Sequence, residues 1–432
     1  MTRLVSHKFV NSTADHQHGR LIFTCISLQY SEFILNSRGL KLFTCRWIPR
    51  DDPVALVFLC HGNLLPSGVV YQYEESARAY RVLFNLYAGY SLECSISMRG
   101  KLTSISELYL ETFCLLAPSF RMIVTYPENQ SVVSWPIPIL KQYLMMIQQY
   151  LPGTATRLAE ARYAVYGIDY EGHGKSSGLK GYIPSFDNIV KDCNDYFSST
   201  RQRFLFGESM GGAVALLIHR KKPMFWHGAV LVAPMCKISD KMKPPAIFVN
   251  LLGTVSRMFP TWGVVPTLNI LKNANKNPER REELLQNPYC YKGRPRLKTA
   301  HELLLASTDL EKNLNQVAPL VSPVFSTRAS FPIDVRLLQV SLPFLLLHGG
   351  DDVITDPMVS QALYESAASA DKTFKLYPGM WHALISGEPP ESIELVFSDI
   401  IAWLTDRTRS RVSISDVLTE SQLFGSSSST LP

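Results

Sequence analysis

Apolar and polar positions change period repeatedly along the chain. Residues 54–60, 228–232 and 343–347 are short unbroken apolar runs. Such runs predict strands covered on both faces. Residues 164–169, 204–206 and 373–377 predict further short strands, and residues 33–37 and 40–47 an opening pair around the turn Ser37-Arg38-Gly39. Residues 186–196 and 213–218 predict helices, the first of them amphipathic. Strands alternating with helices predict an α/β fold with a mostly parallel sheet and helices on both faces. Between residue 233 and about residue 314 the alternation stops. Residues 247–259 and 301–314 predict helices there, separated by Pro- and charge-rich connections such as Pro278-Glu-Arg-Arg-Glu-Glu283. This segment reads as an insertion between strands. Its apolar residues, Leu251, Met258 and Trp262 among them, either line a ligand channel or, for the most part, pack on the core.

The most informative junction lies where strand 204–206 meets the helical run from Ala213. Gly207-Glu208-Ser209-Met210-Gly211 reads G-x-S-x-G at that point. A serine on a sharp strand-to-helix turn is exposed at the sheet edge, with helix N-terminal N–H groups aimed at the same spot. Gly207 and Gly211 leave room where a Cβ would collide with the turn. A glycine-rich turn with an incidental serine is the competing reading. The flanking strand and helix favour the nucleophile.

A nucleophile needs a base, and the base an orienting acid. Downstream, the strand 343–349 opens into Gly350-Asp351-Asp352-Val353-Ile354-Thr355-Asp356-Pro357, and strand 373–377 ends in Pro378-Gly-Met-Trp-His382. A carboxylate past one strand and a histidine past the next converge above the carboxyl ends of a parallel sheet. Asp356 precedes a proline as a helix cap does. Asp352 is favoured as the acid, with Asp351 the alternative. His382 has a competing reading as a packing histidine beside Trp381, and His348, at a strand end, reads as structural.

Four segments together resemble plant monoacylglycerol lipases, also described as caffeoylshikimate-esterase-like or lysophospholipase-like α/β-hydrolases. They are the run from Gly207 through Leu217, Asp169-Tyr-Glu-Gly-His-Gly174, Val232-Ala-Pro-Met-Cys-Lys-Ile238 and Leu376-Tyr-Pro-Gly-Met-Trp-His382. The resemblance spans about residues 32–407 and is far more specific than G-x-S-x-G alone. It implies an α/β-hydrolase fold with a helical cap at about 234–314. It implies Ser209 as nucleophile, Asp352 as acid and His382 as base, and Gly349-Gly350-Asp351-Asp352 fits the family's G-x-x-D spacing. The implied chemistry is hydrolysis of carboxylic esters through an acyl-enzyme, on monoacylglycerol or lysophospholipid. A phenolic ester of the caffeoylshikimate type is the alternative substrate. Asp169 to Gly174 reads as a structural turn at the rim of the site, too sparse in ligands for a metal. No aspartate completes an H-x4-D acyltransferase signature after His173.

The oxyanion hole takes one donor from the backbone N–H of Met210. The resemblance places the second on the residue after His61-Gly62, here Asn63. There the family pattern breaks. Residues 63–89, 101–153 and 317–339 are foreign to it. Joining Gly62 to Tyr90, Gly100 to Thr154 and Gln316 to Val340 restores a continuous hydrolase, with Tyr90 as the second donor. The three inserts are expected to be translated introns. Gly-Asn and Gly-Lys at the first two starts can encode an in-frame donor dinucleotide, and long structureless loops are uncommon inside compact domains. If the first insert is real polypeptide, the oxyanion loop is interrupted and a catalytically impaired hydrolase-fold protein is the alternative.

Composition adds bounds. The chain has 432 residues, 46% hydrophobic and 19% charged, which suits a globular protein with a sizeable core. A net charge of +6 without a basic run argues against a nucleic-acid partner. It allows peripheral contact with an anionic membrane, although an ordinary solvated surface accounts for it. Eight cysteines without metal-ligand spacing read as reduced and cytoplasmic. No cofactor and no metal are expected. Residues 1–30 read as a flexible leader without a signal peptide, and residues 408–432 as a disordered tail.

Overall fold

The structure is a computed structural model. It describes residues 2–17, 20–62, 121–125, 132–136, 153–197, 202–236, 246–265, 270–314 and 340–424. Strands are β1 (Thr2–Gln17), β2 (Arg20–Leu35), β3 (Lys41–Pro49), β4 (Ala55–Cys60), β5 (Arg121–Thr125), β6 (Val132–Pro136), β7 (Tyr163–Ile168), β8 (Arg203–Glu208), β9 (Gly228–Val232), β10 (Phe344–Gly349) and β11 (Lys372–Tyr377). Helices are α1 (Thr154–Glu160), α2 (Phe186–Tyr196), α3 (Met210–Lys221), α4 (Ala246–Met258), α5 (Ile270–Ala274), α6 (Pro278–Gln286), α7 (Leu297–Leu314), α8 (Pro357–Ser366) and α9 (Pro390–Phe424).

The chain divides into two units. One comprises Met1–Phe9, Ser27–Tyr71 and Gly153–Pro432; the other comprises Val10–Ile26 and Gln72–Pro152. In the smaller unit β5 pairs antiparallel with β6. The larger unit holds a sheet in the order β2-β3-β7-β4-β8-β9-β10-β11, to which β2 contributes from Ser27 onward. β2, β3 and β7 pair antiparallel. From β7 to β11 every pairing is parallel.

Every residue of β4, β9 and β10 is buried, which is why their sequences are unbroken apolar runs. One face of the sheet carries the row Phe58, Leu205, Ala229 and Phe344, in register across four strands. These residues share a core with Val214 and Ile218 of α3 and Ile189 and Cys193 of α2. The other face is covered by α9. Its residues Ile393, Val396, Phe397, Ile400, Trp403 and Leu404 recur at helical spacing and are buried. Trp403 meets Phe204 edge-on, with ring centroids 6.2 Å apart.

Between β9 and β10 lie α4 to α7, in the segment where the sequence shows an insertion. α7 packs against α4, α3 and α2. Of the two readings left open for the apolar residues of this segment, Met258, Phe259 and Trp262 do not follow packing on the core: they are exposed, with Phe259 stacked on Trp262 at 4.2 Å. Two end segments carry regular elements. Residues 2–17 and 20–30, read as a flexible leader, are extended in β1 and β2, a backbone suited to Ile22, Phe23, Thr24 and Ile26. Residues 408–424, read as disordered, continue α9; no Gly or Pro interrupts the chain between Pro390 and Gly425. The inserts at 63–89 and 317–339, and nearly all of 101–153, lie outside the described residues.

The chain leaves β4 toward β7 on one side and leaves β8 toward β9 on the other. The carboxyl ends of β4 and β8 therefore flank a topological switch point, where open parallel sheets form their ligand crevice. Gly62 follows β4 there, and Ser209 follows β8.

Candidate active site

Ser209 caps the N-terminus of α3 with φ 56° and ψ −121°. A non-glycine residue with positive φ is strained, and surrounding structure must hold it there. Its N–H donates to the Val232 carbonyl at 3.0 Å. Its carbonyl accepts from Gly212 N–H at 2.9 Å and from Met235 N–H at 2.8 Å. The end of β9 and the four residues after it thus hold the turn from behind. The glycines leave the space it needs: a Cβ on Gly207 would run into the Gly211 carbonyl, and one on Gly211 into the carbonyl of Cys60. The next residue, Met210, begins α3, so its N–H has no acceptor within the helix.

Gly62 lies close to this turn. A Cβ on it would sit 3.6 Å from Ser209 Cβ. His61 anchors the approach. Its Nδ1–H donates to the Gly62 carbonyl at 2.7 Å, and its Nε2 accepts from Tyr170 N–H at 3.2 Å. The ring stacks on Tyr170 at 3.8 Å. Burial and the nearby His173 push its pKa down to about 3, so it stays neutral. The Asp169–Gly174 turn therefore braces the loop after β4. In that turn Asp169 accepts from Lys175 N–H at 3.0 Å, and its own carbonyl accepts from Ser176 Oγ at 2.6 Å. Asn63 and Tyr90, the two candidates for the second oxyanion donor, lie outside the described residues.

Asp352 lies in the turn after β10 and is buried. Its Oδ1 accepts from the N–H groups of Ile354 and Thr355, at 2.7 and 3.1 Å. Its Oδ2 accepts from His382 Nδ1 at 2.7 Å and from Thr355 Oγ1 at 2.8 Å. Asp351, the alternative, is exposed, and its N–H donates to the Met380 carbonyl at 3.0 Å. Asp356 caps α8, accepting from Met358 N–H at 3.0 Å.

His382 follows β11 on a loop tied at both sides. Trp381 N–H donates to Glu388 Oε1 at 2.5 Å, and Ala383 N–H donates to the Ala274 carbonyl of α5 at 3.0 Å. Burial disfavours a charged His382. Asp352, by charge and by hydrogen bond, and then Glu208 outweigh it, so the pKa lies above the ordinary 6.5. Burial likewise pushes Asp352 up, but His382 and His348 overcome that and hold it well below the carboxylate range. Glu208, between Gly207 and Ser209, is raised by burial, against the opposing charges of His382 and Arg280. Its Oε1 is buried without a hydrogen-bond partner.

Sequence reasoning missed four contributors: His61, Glu208, His348 and Thr355. His61 and His348 carry a signal, since each is a histidine that closes an apolar strand just before glycine. Glu208 and Thr355 have none beyond their place inside the motifs. Among the described residues, no cluster of three His, Cys, Asp or Glu side chains is placed to hold a metal ion.

The serine turn, the acid–histidine pair and the switch point all sit at one edge of a parallel sheet. Residues 143–390 match the family described as serine aminopeptidase S33, Hydrolase_4. The chain belongs to this family of α/β-hydrolases. The hydrolase is 33% identical over 256 residues to caffeoylshikimate esterase of Arabidopsis thaliana, covering 57% of this chain and 70% of that one. Against monoglyceride lipase of Homo sapiens it is 28% identical over 250 residues, covering 56% and 74%. In fold it is similar to a soluble variant of monoglyceride lipase from Saccharomyces cerevisiae solved with a substrate analogue. The TM-score is 0.54 at 17% identity, covering 87% of this chain and 94% of that one. No helix among the hydrolase's described residues is long and apolar enough to cross a membrane.

Proposed function

We propose that this hydrolase cleaves carboxylic esters of the monoacylglycerol or lysophospholipid class, with Ser209 as nucleophile, His382 as base and Asp352 as orienting acid. The observation that carries it is the 2.7 Å bond from His382 Nδ1 to a buried Asp352, at the sheet edge where Ser209 stands in its strained turn. With Nδ1–H donated to Asp352, the free Nε2 of His382 is the basic atom. It takes the Ser209 Oγ proton as Oγ attacks the ester carbonyl. The tetrahedral oxyanion is met by Met210 N–H and by a second donor from the loop after Gly62. Collapse expels the alcohol, which receives the proton from His382. Water, activated by the same Nε2, then releases the acid from the acyl-enzyme.

A phenolic ester is the second reading, favoured by the 33% identity to caffeoylshikimate esterase. Hydrolysis of monoacylglycerol in competition with caffeoylshikimate separates the two. We place the protein in the cytoplasm, with peripheral contact to the membranes that hold its acyl substrate. Cys45, Cys60, Cys193, Cys236 and Cys290, free and buried, suit a reducing compartment. Labelling with a fluorophosphonate tests the enzyme reading. Labelling of the wild type and none of Ser209→Ala is expected. An unlabelled wild type would identify an impaired hydrolase-fold protein, consistent with an interrupted oxyanion loop.

A further inference from the structure

We propose that His348 is a positioning residue: it stands against the same carboxylate oxygen of Asp352 that holds His382 and thereby sets how the acid holds the base. This rests on the reading of Asp352 and His382 as acid and base. His348 ends β10 and is fully buried. Its Nε2 is 3.1 Å from Asp352 Oδ2, 3.2 Å from the Thr355 carbonyl and 3.3 Å from Thr355 Oγ1. Two of those three oxygens only accept. Nε2 must therefore carry a proton, and Nδ1 accepts from Ser360 Oγ at 2.7 Å. Ser360, on α8, is fully buried as well.

The result is a buried chain of donors. Ser360 fixes the tautomer and ring plane of His348. His348 shares its Nε2 proton between the Thr355 carbonyl and the same Asp352 Oδ2 that accepts from Thr355 Oγ1 and His382. Two imidazoles thus stand within 3.1 Å of one carboxylate oxygen. The second adds a further partial positive charge at that oxygen and one more contact that holds the carboxylate in place. A histidine that only filled space at a strand end would not place one nitrogen on Asp352 and the other on a buried hydroxyl.

Losing the second imidazole concentrates the charge of Oδ2 on His382. That strengthens the His382–Asp352 bond, stabilises the imidazolium and moves the acid limb of the pH–rate profile to higher pH. It also removes one of the contacts that hold the carboxylate, which lowers kcat. The ionisable groups that face this pair are Glu208 at the end of β8, acting on His382, and Arg280 of α6, acting on Glu208. Neither is altered by the substitutions below.

The test uses the full chain and a short-chain p-nitrophenyl ester. For His348→Leu a roughly tenfold fall in kcat is expected, the size of one lost hydrogen bond to a charged group. KM should be unchanged and the acid limb shifted upward. His348→Gln, which keeps a donor near the Nε2 position, should recover most of the rate, and Ser360→Ala should fall between. Where His348→Leu does not fold, His348→Gln and Ser360→Ala carry the test. Wild-type kcat and an unmoved limb in every folded variant would overturn the inference. NMR titration of His382 gives a readout that needs no turnover. If the wild type is unlabelled by fluorophosphonate but His348→Leu or Ser360→Ala raises the His382 pKa, the clamp stands while the hydrolase reading fails. An unmoved titration overturns the clamp itself.

Discussion

Replacing Asp352 by Asn removes one charge and exchanges one acceptor for a donor, at a site where every neighbour donates. Oδ1 accepts from two backbone N–H groups, and Oδ2 from His382 and Thr355, with His348 Nε2 3.1 Å away. If the amide oxygen keeps the backbone donors, the NH2 group faces His382 Nδ1. That forces the ring proton onto Nε2, the atom that must accept from Ser209. If the amide turns over, the NH2 group faces two N–H groups fixed in the turn. Either orientation costs several buried hydrogen bonds, each worth about 1.5–3 kcal/mol when charge-assisted. The wrong-tautomer outcome lowers kcat by about 10,000-fold, or about 5.4 kcal/mol of transition-state stabilisation. Stopped hydrolysis of a p-nitrophenyl ester, with fluorophosphonate labelling rates alongside, measures it. Asp351→Asn is the internal control: its side chain is exposed, and activity should be unchanged. An Asp352→Asn enzyme within threefold of wild type, or an Asp351→Asn enzyme that loses activity instead, would refute the assignment of the acid.

The remaining expectations are more compact. His382 must be neutral to accept a proton, and its pKa is held above 6.5, so kcat/KM should fall as pH drops through a value higher than that. Glu208→Gln removes a charge that favours protonated His382, so the acid limb should move to lower pH; an unmoved or raised limb contradicts the contact. Asp352 is depressed below its ordinary 3.8, so its contribution to stability is complete above that pH and fades as pH falls through the depressed value. Acid unfolding of Asp352→Asn should lack this component. Gly211→Ala drives a Cβ into the Cys60 carbonyl, and a loss of about 3 kcal/mol is expected in urea unfolding.

The glycine-flanked turn at Ser209 and the strand-to-helix rhythm are legible in the sequence because both are local. β4, β9 and β10 are buried on both faces, so they must be unbroken apolar runs, and the turn at Ser209 must have glycines wherever backbone passes within contact distance. The choice between Asp351 and Asp352 is not local. Adjacent residues in a turn point to opposite sides, and only the closing of β10 against β11 decides which meets His382. His348 is hidden for a related reason. In the sequence it is one polar residue ending an apolar run, and its partners stand four and twelve residues further on, brought back by α8. Whether Met258 and Trp262 pack on the core stays open in the sequence, because an apolar residue on a helix predicts burial only where something packs over that face.

Met235 N–H and the Val232 carbonyl grip the peptide of Ser209 from the neighbouring strand. The strand that leads into Ser209 is therefore not the one that holds its turn. Residues 233–236 touch no bond that breaks, yet a one-residue insertion there would release the serine's backbone to relax, as surely as a change in G-x-S-x-G itself. The same short stretch is where the chain departs for the segment holding α4 to α7. Whatever tugs on that segment tugs first on the spring that aims the serine.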